Sequence, residues 1–385
     1  MKKRIALVRG PNLNSWEMQN FVPLKESFDI TAISSYLPEY RLTAEEFPVR
    51  SLFSWGQLAR ARVLRRLLQS YLGDFHDLQG LHGALKGFDI VHTAETQYLF
   101  SYQTALAKRS LGFKLAVSVW ENIPFLLNNA ASRRNREVVF READIILAVS
   151  ERTKEALILE GAAAEKIKVQ PPGIDTEVFH PMTRDAGLLR AFGCSEEDFV
   201  ILMVSRLVRQ KGIYDLLFAF KRLTDRLGQK KKIRLLIGGT GPEEKRFRDM
   251  VSQLGMRDSV RMIDAHQYQS MPAIHNLADV FVLPSRPTPI WQEQFGYVLL
   301  ESMACGKPVI STLSGSIPEV VGDAGMLVPP SDFVSLTNSL ERIVMDDKLR
   351  ADLGRRGRTR ACEKFDLRKI SGQFKTYYES LLGMA

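Results

Sequence analysis

The stretch "WQEQFGYVLLESMACGKPVI", residues 291–310, contains the pattern of one helix followed by one strand. The helix is expected to begin near Phe295 or Gly296. It should end at Gly306, because glycine is favoured just past a helix end and Pro308 follows two residues later. The apolar "KPVIST" after it predicts a buried β-strand. A helix that leads directly into an apolar strand is the repeating unit of a parallel sheet.

The same alternation of apolar strands and helical patterns recurs along the whole chain. In the first half the predicted strands are "RIALVR", "FDITAIS", "FDIVHTA", "KLAVSVW", "DIILAVS" and "KIKVQPP". In the second half they are "FVILMVS", "IRLLIGG", "VRMID", "DVFVLPS", "KPVIST" and "GMLVPP". Continuous apolar strands of this kind belong to parallel sheets that are covered on both faces. Two such series predict an α/β protein with two Rossmann-like, doubly wound domains.

The segment "PPGIDTEVFHPMTRDAG" separates the two series and has no clear period. We therefore expect an N-terminal domain over residues 1–175, a linker over 176–196 and a C-terminal domain over 197–365. A last helical segment is expected over 366–385. In open parallel sheets, ligands bind beyond the carboxyl ends of the strands, so each strand-to-helix turn is a candidate binding loop. Two facing domains would also offer a cleft.

Composition narrows the class of protein. The chain has 53 basic and 44 acidic residues, a net charge of +9, which suits phosphates, acidic small molecules or an anionic surface. Cys194, Cys305 and Cys362 are too few and too scattered for a disulfide framework or a metal cluster, which indicates a reducing cytoplasm. The start of the chain predicts a strand and not a signal peptide, and no apolar run approaches the roughly 20 residues of a membrane span.

Two glutamates, Glu293 and Glu301, lie in the opening stretch among apolar and small residues. On one helix they would be about 12 Å apart along the axis, too far for the carboxylate pair of a glycoside hydrolase. Glu293 instead precedes the helix, beside the free N–H groups of its first turn, which can donate to ligand oxygens. Glu301 lies in the second turn, where it can accept hydrogen bonds from a diol. The alternative is a charge favoured by the helix dipole plus one solvated glutamate.

Basic residues follow the strand "FVILMVS" in the loop "SRLVRQKG", residues 205–212. Arg206 and Lys211 leave the same strand end, and Gly212 opens the next helix. A guanidinium and an ammonium around one loop suit a diphosphate. A solvated basic loop is the alternative.

Glycines mark two further strand-end loops. In "IRLLIGGTGPEE", Gly239 and Gly241 fit the start of a dinucleotide-binding fingerprint, but Glu244 stands where the third glycine belongs. These glycines therefore predict a tight turn under a ligand and not a nicotinamide site. In "RGPNLNSW", Gly10 would let the backbone approach a ligand closely.

The stretch "EQFGYVLLESMACGKPVI" resembles the E-x(7)-E signature of the retaining glycosyltransferases of family 4, which have the two-domain GT-B fold. "VSRLVRQKG", "IGGTGPE", "ADVFVLPS" and "GSIPEVVGDAGMLVPPSD" occur in the matching order, and "PPGIDTEVFHP" resembles the interdomain segment of that family. The similarity is strong over residues 171–380 and looser over the first half. It implies a nucleotide-sugar-dependent transferase that uses no metal ion and no cofactor, with a last helix that packs back on the first domain.

The resemblance also implies roles for residues of the C-terminal half. Glu301 would hold the ribose of a nucleotide sugar, and Arg206 and Lys211 its diphosphate. Glu293 would contact the transferred sugar. The base would lie near Ile263, although Asp264 stands where many members have glycine. Backbone amides beside Glu293 would assist it, those of Gln294, Phe295 and Gly296. The candidate catalytic residues are thus Glu293, Arg206 and Lys211.

The N-terminal half departs from the family pattern. Many members have a histidine where this chain has Trp120 and Glu121. His92 matches another common histidine, but Glu95 stands where a second is often found. His92, Trp120 and Glu121 are the acceptor-side candidates, with a purely structural histidine as the alternative for His92. A nucleotide-sugar epimerase and a non-catalytic sugar-nucleotide binder therefore stay open beside the transferase. Nucleic acid is not an expected partner, because the basic residues concentrate at strand-end loops and one helix.

A basic amphipathic helix is predicted around Arg60–Leu72. Five arginines, Arg50, Arg60, Arg62, Arg65 and Arg66, occur between Glu46 and Asp74 without an acidic residue. Such a helix can lie on an anionic membrane. The alternative is a core-facing helix with a solvated basic face. The family resemblance adds weight to the membrane alternative without deciding between the two, since many members use lipid-linked acceptors, and surface polysaccharide assembly is one such setting. The expected location is the cytoplasm, with peripheral contact to the inner face of the membrane.

Overall fold

The computed structural model describes residues 1–37, 47–58, 76–263 and 268–384. It divides into two compact units, of which unit 1 comprises Met1–Gly173 with Leu367–Ala385 and unit 2 comprises Ile174–Asp366. Each unit has one sheet in which all strand pairs are parallel. The predicted fold class, two Rossmann-like α/β domains, is confirmed.

Unit 1 has a seven-stranded sheet in the order β3-β2-β1-β4-β5-β6-β7. The strands are β1 (Lys3–Gly10), β2 (Phe28–Ser35), β3 (Val49–Leu52), β4 (Ile90–Ala94), β5 (Lys114–Val119), β6 (Ile145–Ala148) and β7 (Ile167–Val169). The α-helices are Ser15–Met18, Leu81–Ala84, Leu99–Leu111, Ala130–Glu142, Glu151–Leu159 and Leu367–Leu381, and the 3-10 helices are Gln19–Glu26, Trp55–Leu58 and Ala164–Lys166.

Unit 2 has a six-stranded sheet in the order β10-β9-β8-β11-β12-β13. The strands are β8 (Phe199–Val204), β9 (Ile233–Gly238), β10 (Val260–Ile263), β11 (Val280–Leu283), β12 (Val309–Thr312) and β13 (Gly325–Val328). The α-helices are Ala186–Ala191, Ile213–Leu227, Glu244–Gln253, Met271–Asn276, Tyr297–Ala304, Ile317–Val321, Phe333–Met345 and Asp347–Lys364, and the 3-10 helices are Arg209–Lys211, Gly228–Lys230 and Tyr268–Ser270.

The sheet of unit 1 is covered on both faces. Successive residues of a strand point to opposite faces, and in β1 Ile5 and Leu7 pack into one apolar cluster while Ala6 and Val8 pack into the other. All four side chains are fully buried. Burial on both faces explains why these strands are continuous apolar runs and not alternating patterns.

One strand was absent from the sequence prediction. β3 lies at the edge of the sheet, is only four residues long and is partly exposed along its length. A short edge strand with a polar sequence, "VRSL", lacks the apolar run by which the other strands were found.

The last helix, Leu367–Leu381, belongs to unit 1 although the whole of unit 2 precedes it in the chain. It buries Ile370, Phe374 and Tyr378 in the same cluster as Ile5 and Leu7. Apolar residues at a spacing of four place these side chains on one face of the helix. The last helix is therefore part of the core of unit 1.

Candidate active site

Sheet topology indicates where a ligand would bind in unit 2. The chain runs outward from β8 through β9 and β10, then returns to β11 on the other side of β8. Such a reversal of strand order opens a crevice at the carboxyl ends of the two central strands. Arg206 follows β8, and Ser285 follows β11. Both side chains therefore leave the sheet at the position where doubly wound folds bind ligands.

Lys211 and Glu293 form an ion pair at this edge of unit 2. The ammonium nitrogen Nζ lies 2.7 Å from Oε2 and 3.0 Å from Oε1 of the carboxylate. Ser285 Oγ donates to Oε2 of the same carboxylate over 2.7 Å. The indole ring of Trp291 lies beside the ammonium, 5.0 Å from Nζ to the ring centroid. The two residues predicted for diphosphate and sugar are thus in direct contact, so each charge offsets the other.

Two glycines allow the loops of this site to approach each other. Gly212, next to Lys211, has φ +72°, and a Cβ there would collide with the carbonyl of Pro284. Gly315 has φ +56°, and a Cβ there would collide with the carbonyl of Glu293, which also accepts a hydrogen bond from the Ser316 amide. Positive φ and the absence of a side chain are therefore both required at these two positions.

The helix that follows Glu293 begins one residue after the expected point, at Tyr297, and runs to Ala304. Gly296 precedes it with φ +92°. Phe295 is buried and packs edge-on against Phe365, with 5.8 Å between the ring centroids. Gln294, Phe295 and Gly296 thus lie in the chain between Glu293 and the first helical turn.

Arg206 differs from the other basic residues of its loop. Its side chain is exposed and forms no ion pair with any residue that the structure describes. Arg209, by contrast, lies 3.1 Å from Glu243, which also accepts a 2.7 Å hydrogen bond from Tyr214. These two contacts, that from Tyr214 first, hold the pKa of the Glu243 carboxyl below its usual value. Arg206 is thus an available cation, whereas Arg209 is already paired.

Glu301 is buried inside unit 2, with 4% of its surface exposed. Its Oε2 lies 3.0 Å from Nε2 of His275, a fully buried histidine on the helix Met271–Asn276. Within the described part of the chain, Oε1 has no hydrogen-bond partner. The alternative of one solvated glutamate is wrong for Glu301, because the carboxylate is buried and lies within hydrogen-bond distance of the His275 imidazole.

The remaining predicted donor positions lie at neighbouring strand ends. Gly239 follows β9 with φ +115°, and a Cβ there would collide with the carbonyl of Ser205 after β8. Ile263 is the last residue of β10, is buried and pairs with Gly238. Asp264 lies outside the described residues. The Gly239 turn therefore brings the loops after β8 and β9 together, and the predicted base position lies one strand further along the sheet.

Gly10 and His92 of unit 1 are enclosed by the protein itself. A Cβ on Gly10 would come within 3.0 Å of the Phe100 ring, so the close approach that needs this glycine is to a side chain of the same unit. His92 is fully buried, with Nδ1 2.6 Å from Tyr378 Oη and Nε2 2.8 Å from Ser118 Oγ. Burial and the nearby charge of Arg9 lower the pKa of the imidazole well below its ordinary value. These contacts favour the structural alternative for His92.

Trp120 and Glu121 follow β5 and are partly exposed. The Trp120 amide donates to Oε1 of Glu95 over 2.8 Å, while Oε1 of Glu121 accepts from the amides of Asn122 and Ile123 at 2.9 Å each. Glu95 is buried, has φ +60° and follows β4. Burial, and then the charge of Glu121, raise the pKa of Glu95 to about 8. Glu95 is thus an uncharged acid at neutral pH, beside two acceptor-side candidates.

Sequence reasoning missed His275, Ser285 and the importance of Glu95. Ser285 could have been found from its place two residues after the end of β11. His275 carries no local signal, because its partner Glu301 is 26 residues away. Among the described residues, no group of three histidine, cysteine or carboxylate side chains could hold a metal ion. In the same part of the chain, no helix combines the length and apolar character needed to cross a bilayer.

Two family models match the chain. The model of glycosyl transferases group 1 matches residues 189–360, and the model of Glycosyltransferase Family 4 matches residues 38–178. The D-inositol 3-phosphate glycosyltransferase of Corynebacterium jeikeium is 32% identical over 249 residues, 62% of this chain and 58% of the relative. A GDP-mannose-dependent phosphatidylinositol monomannoside mannosyltransferase of Mycolicibacterium smegmatis is 30% identical over 254 residues, 65% of this chain and 64% of the relative. The chain thus spans less than two thirds of the length of these curated relatives.

Among solved structures, that of the Anabaena protein HepE in complex with UDP is similar over 98% of this chain and 100% of that chain. The TM-score is 0.80 and the sequence identity is 19%. At this identity the likeness shows the fold alone.

Proposed function

Because the chain belongs to the family 4 glycosyltransferases with the GT-B fold, we propose that it moves a sugar from a nucleotide-sugar donor to an acceptor with retention of configuration. The observation that carries the proposal is the Lys211–Glu293 pair, together with the exposed Arg206 of the same loop after β8, at the strand reversal of unit 2. An anionic leaving group is best stabilised by fixed cations of this kind.

The donor would be held by unit 2 from one end to the other. Glu301 takes the ribose hydroxyls, and the base lies beyond Ile263. Arg206 and Lys211 bind the diphosphate and stabilise the charge that develops on it as the sugar leaves. Glu293 and the amides of Gln294, Phe295 and Gly296 contact the sugar. The UDP in the HepE structure and the GDP-mannose in the name of the mycobacterial relative support a nucleoside diphosphate sugar as donor.

The first experiment is a thermal-shift screen of the protein against UDP, GDP and ADP and their common sugar conjugates. A ligand that binds only the folded protein raises its melting temperature by an amount set by concentration over Kd. We expect the nucleotides of one base to raise the melting temperature of the protein. The variant Arg206→Ala should lose most of that increase. If no nucleotide changes the melting temperature, the proposal is wrong. Product analysis with the nucleotide sugar that stabilises the protein then distinguishes a transferase from an epimerase. An epimer of the sugar formed without any acceptor would indicate the epimerase.

An anionic membrane is the proposed site of the acceptor. The predicted basic helix around Arg60–Leu72 lies outside the described residues, but described residues that precede it in the sequence have exposed apolar side chains. Tyr36 and Leu37 follow β2, and Phe53 and Trp55 follow β3, with exposures of 62%, 55%, 36% and 62%. Exposed aromatic and aliphatic groups of this kind suit the interface of a bilayer.

Sedimentation with phosphatidylglycerol vesicles tests this part of the proposal. Several arginines at about 1 kcal/mol each near the surface should make binding fall steeply as salt rises. Replacing Arg62, Arg65 and Arg66 together by Gln should abolish it, while replacing Arg355 and Arg356 of unit 2 should not. If neither anionic nor neutral vesicles sediment the protein, the acceptor is a soluble molecule.

A further inference from the structure

The imidazole of His275 has one polar contact in the described part of unit 2, and that contact is Glu301. We propose that His275 is a positioning residue, which orients the Glu301 carboxylate toward a ribose diol and thereby sets a preference for ribonucleotides over 2′-deoxyribonucleotides. This inference rests on the proposed binding of ribose by Glu301.

The contact fixes the proton on the imidazole. A carboxylate oxygen can only accept, so Nε2 of His275 donates to Oε2 of Glu301 over their 3.0 Å separation. The other ring nitrogen, Nδ1, is buried and has no hydrogen-bond partner among the described residues. A buried polar atom without a partner costs free energy. An apolar side chain would avoid that cost, so the imidazole is better explained by what it does to Glu301 than by packing.

The ring itself is fixed by aromatic neighbours. Its centroid lies 5.2 Å from that of Phe281 on β11 and 6.1 Å from that of Phe179. The backbone beside it is also fixed, since the Asn276 side chain donates to the carbonyl oxygens of Pro272 and His180 at 2.9 Å each. Nε2 therefore faces Glu301 from a ring packed against aromatic neighbours and a backbone held by side-chain hydrogen bonds.

A fixed carboxylate is what a diol requires. Two neighbouring hydroxyl groups can both donate to a carboxylate only when the carboxylate plane is correctly oriented. A glutamate side chain has three torsions, and rotation about any of them can change that orientation. With Oε2 engaged by His275, Oε1 is the oxygen without a described partner. The preference for ribose would then depend on two residues, one that contacts the sugar and one that holds the first in place.

Calorimetry with UDP and 2′-deoxy-UDP tests the proposal, or the guanosine or adenosine pair if the thermal-shift screen selects that base. We expect the wild-type protein to prefer the ribonucleotide by about tenfold or more, as one charge-assisted hydrogen bond allows. The variant His275→Phe, which fills the aromatic site, should lose most of that preference and keep its affinity for the deoxynucleotide. His275→Gln, whose amide nitrogen can replace Nε2, should restore it. A merely structural role would weaken both nucleotides equally.

The variant Glu301→Gln distinguishes failure of the proposed role of His275 from failure of the proposed ribose contact of Glu301. If Glu301→Gln loses the ribose preference but His275→Phe keeps it, the role of His275 is refuted and the ribose assignment stands. If Glu301→Gln keeps the preference, or if the wild-type protein binds both nucleotides equally, the ribose assignment itself is wrong and the proposal with it.

Discussion

The contact between Lys211 and Glu293 leads to a prediction that neither residue alone would give. Removing the ammonium by Lys211→Met deprives a diphosphate of one cation, and it also leaves the Glu293 carboxylate without its counter-charge. The carboxylate, 9% exposed at its side chain, would then repel the ligand. We therefore expect the double variant Lys211→Met/Glu293→Gln to bind a nucleoside diphosphate more tightly than the single variant Lys211→Met.

The magnitude follows from Coulomb's law. Two unit charges about 6 Å apart at an effective dielectric constant of about 20 repel each other by about 3 kcal/mol. Water and counter-ions reduce this value, so a rescue of about tenfold in Kd, or about 1.4 kcal/mol, is expected. Glu293→Gln alone should bind the diphosphate at least as well as the wild-type protein, yet turn over more slowly.

Isothermal titration calorimetry with the four proteins of this cycle measures the rescue. Lys221→Met is the matched control, since its ammonium pairs with Asp225 on the exposed face of the helix Ile213–Leu227 and should not affect Kd. A double variant that binds as weakly as Lys211→Met would refute the reasoning, because it would mean that the Glu293 charge is not felt at the diphosphate.

Three further predictions concern other residues. Arg206→Ala should weaken nucleoside diphosphate binding about tenfold or more, since charge-assisted bonds contribute about 1.5 to 3 kcal/mol each; equal Kd values in calorimetry would remove Arg206 from the site. Glu95 has a pKa raised from 4.5 to about 8 in the folded protein, so its contribution to stability is full below pH 4.5 and is lost as pH rises to about 8. The difference in melting temperature between the wild-type protein and Glu95→Gln should therefore fall as the pH rises from 5 to 9. A difference that stays constant over this range would contradict the raised pKa of Glu95. Tyr378→Phe should destabilise unit 1 by about 1 to 3 kcal/mol in urea denaturation, because Nδ1 of His92 loses its partner, while nucleotide affinity in unit 2 stays unchanged.

The fold could be predicted well from the sequence, because a parallel strand that is buried on both faces has a continuous apolar sequence that can be recognised locally. Each run such as "FVILMVS" is apolar throughout, and each is followed by a turn and a helical period. The helix in the opening stretch was placed to within one or two residues at its start, since Gly296 and the prolines before it exclude an earlier one. β3 was not predicted, because this edge strand buries few of its side chains and therefore has no continuous apolar sequence.

The contacts within the site could not be predicted in the same way. Lys211 and Glu293 are 82 residues apart, and both were assigned to the donor, but their ion pair depends on how the loops after β8 and β11 approach each other. His92 and Tyr378 are 286 residues apart and meet only because the last helix returns to unit 1. Periodicity and motif spacing report on local structure, whereas these distances are set by packing.

The spacing of the two glutamates acquires a physical meaning from these contacts. Eight residues apart on a regular helix, two carboxylates would be about two turns and about 12 Å apart along the axis. Here Gly296, with φ +92°, ends the loop that carries Glu293 and begins the helix that carries Glu301. One carboxylate therefore faces the cation of the β8 loop, and the other faces an imidazole held between aromatic rings. Because the two acids have different partners, they can serve opposite ends of one donor, and a change at either should leave the other end intact.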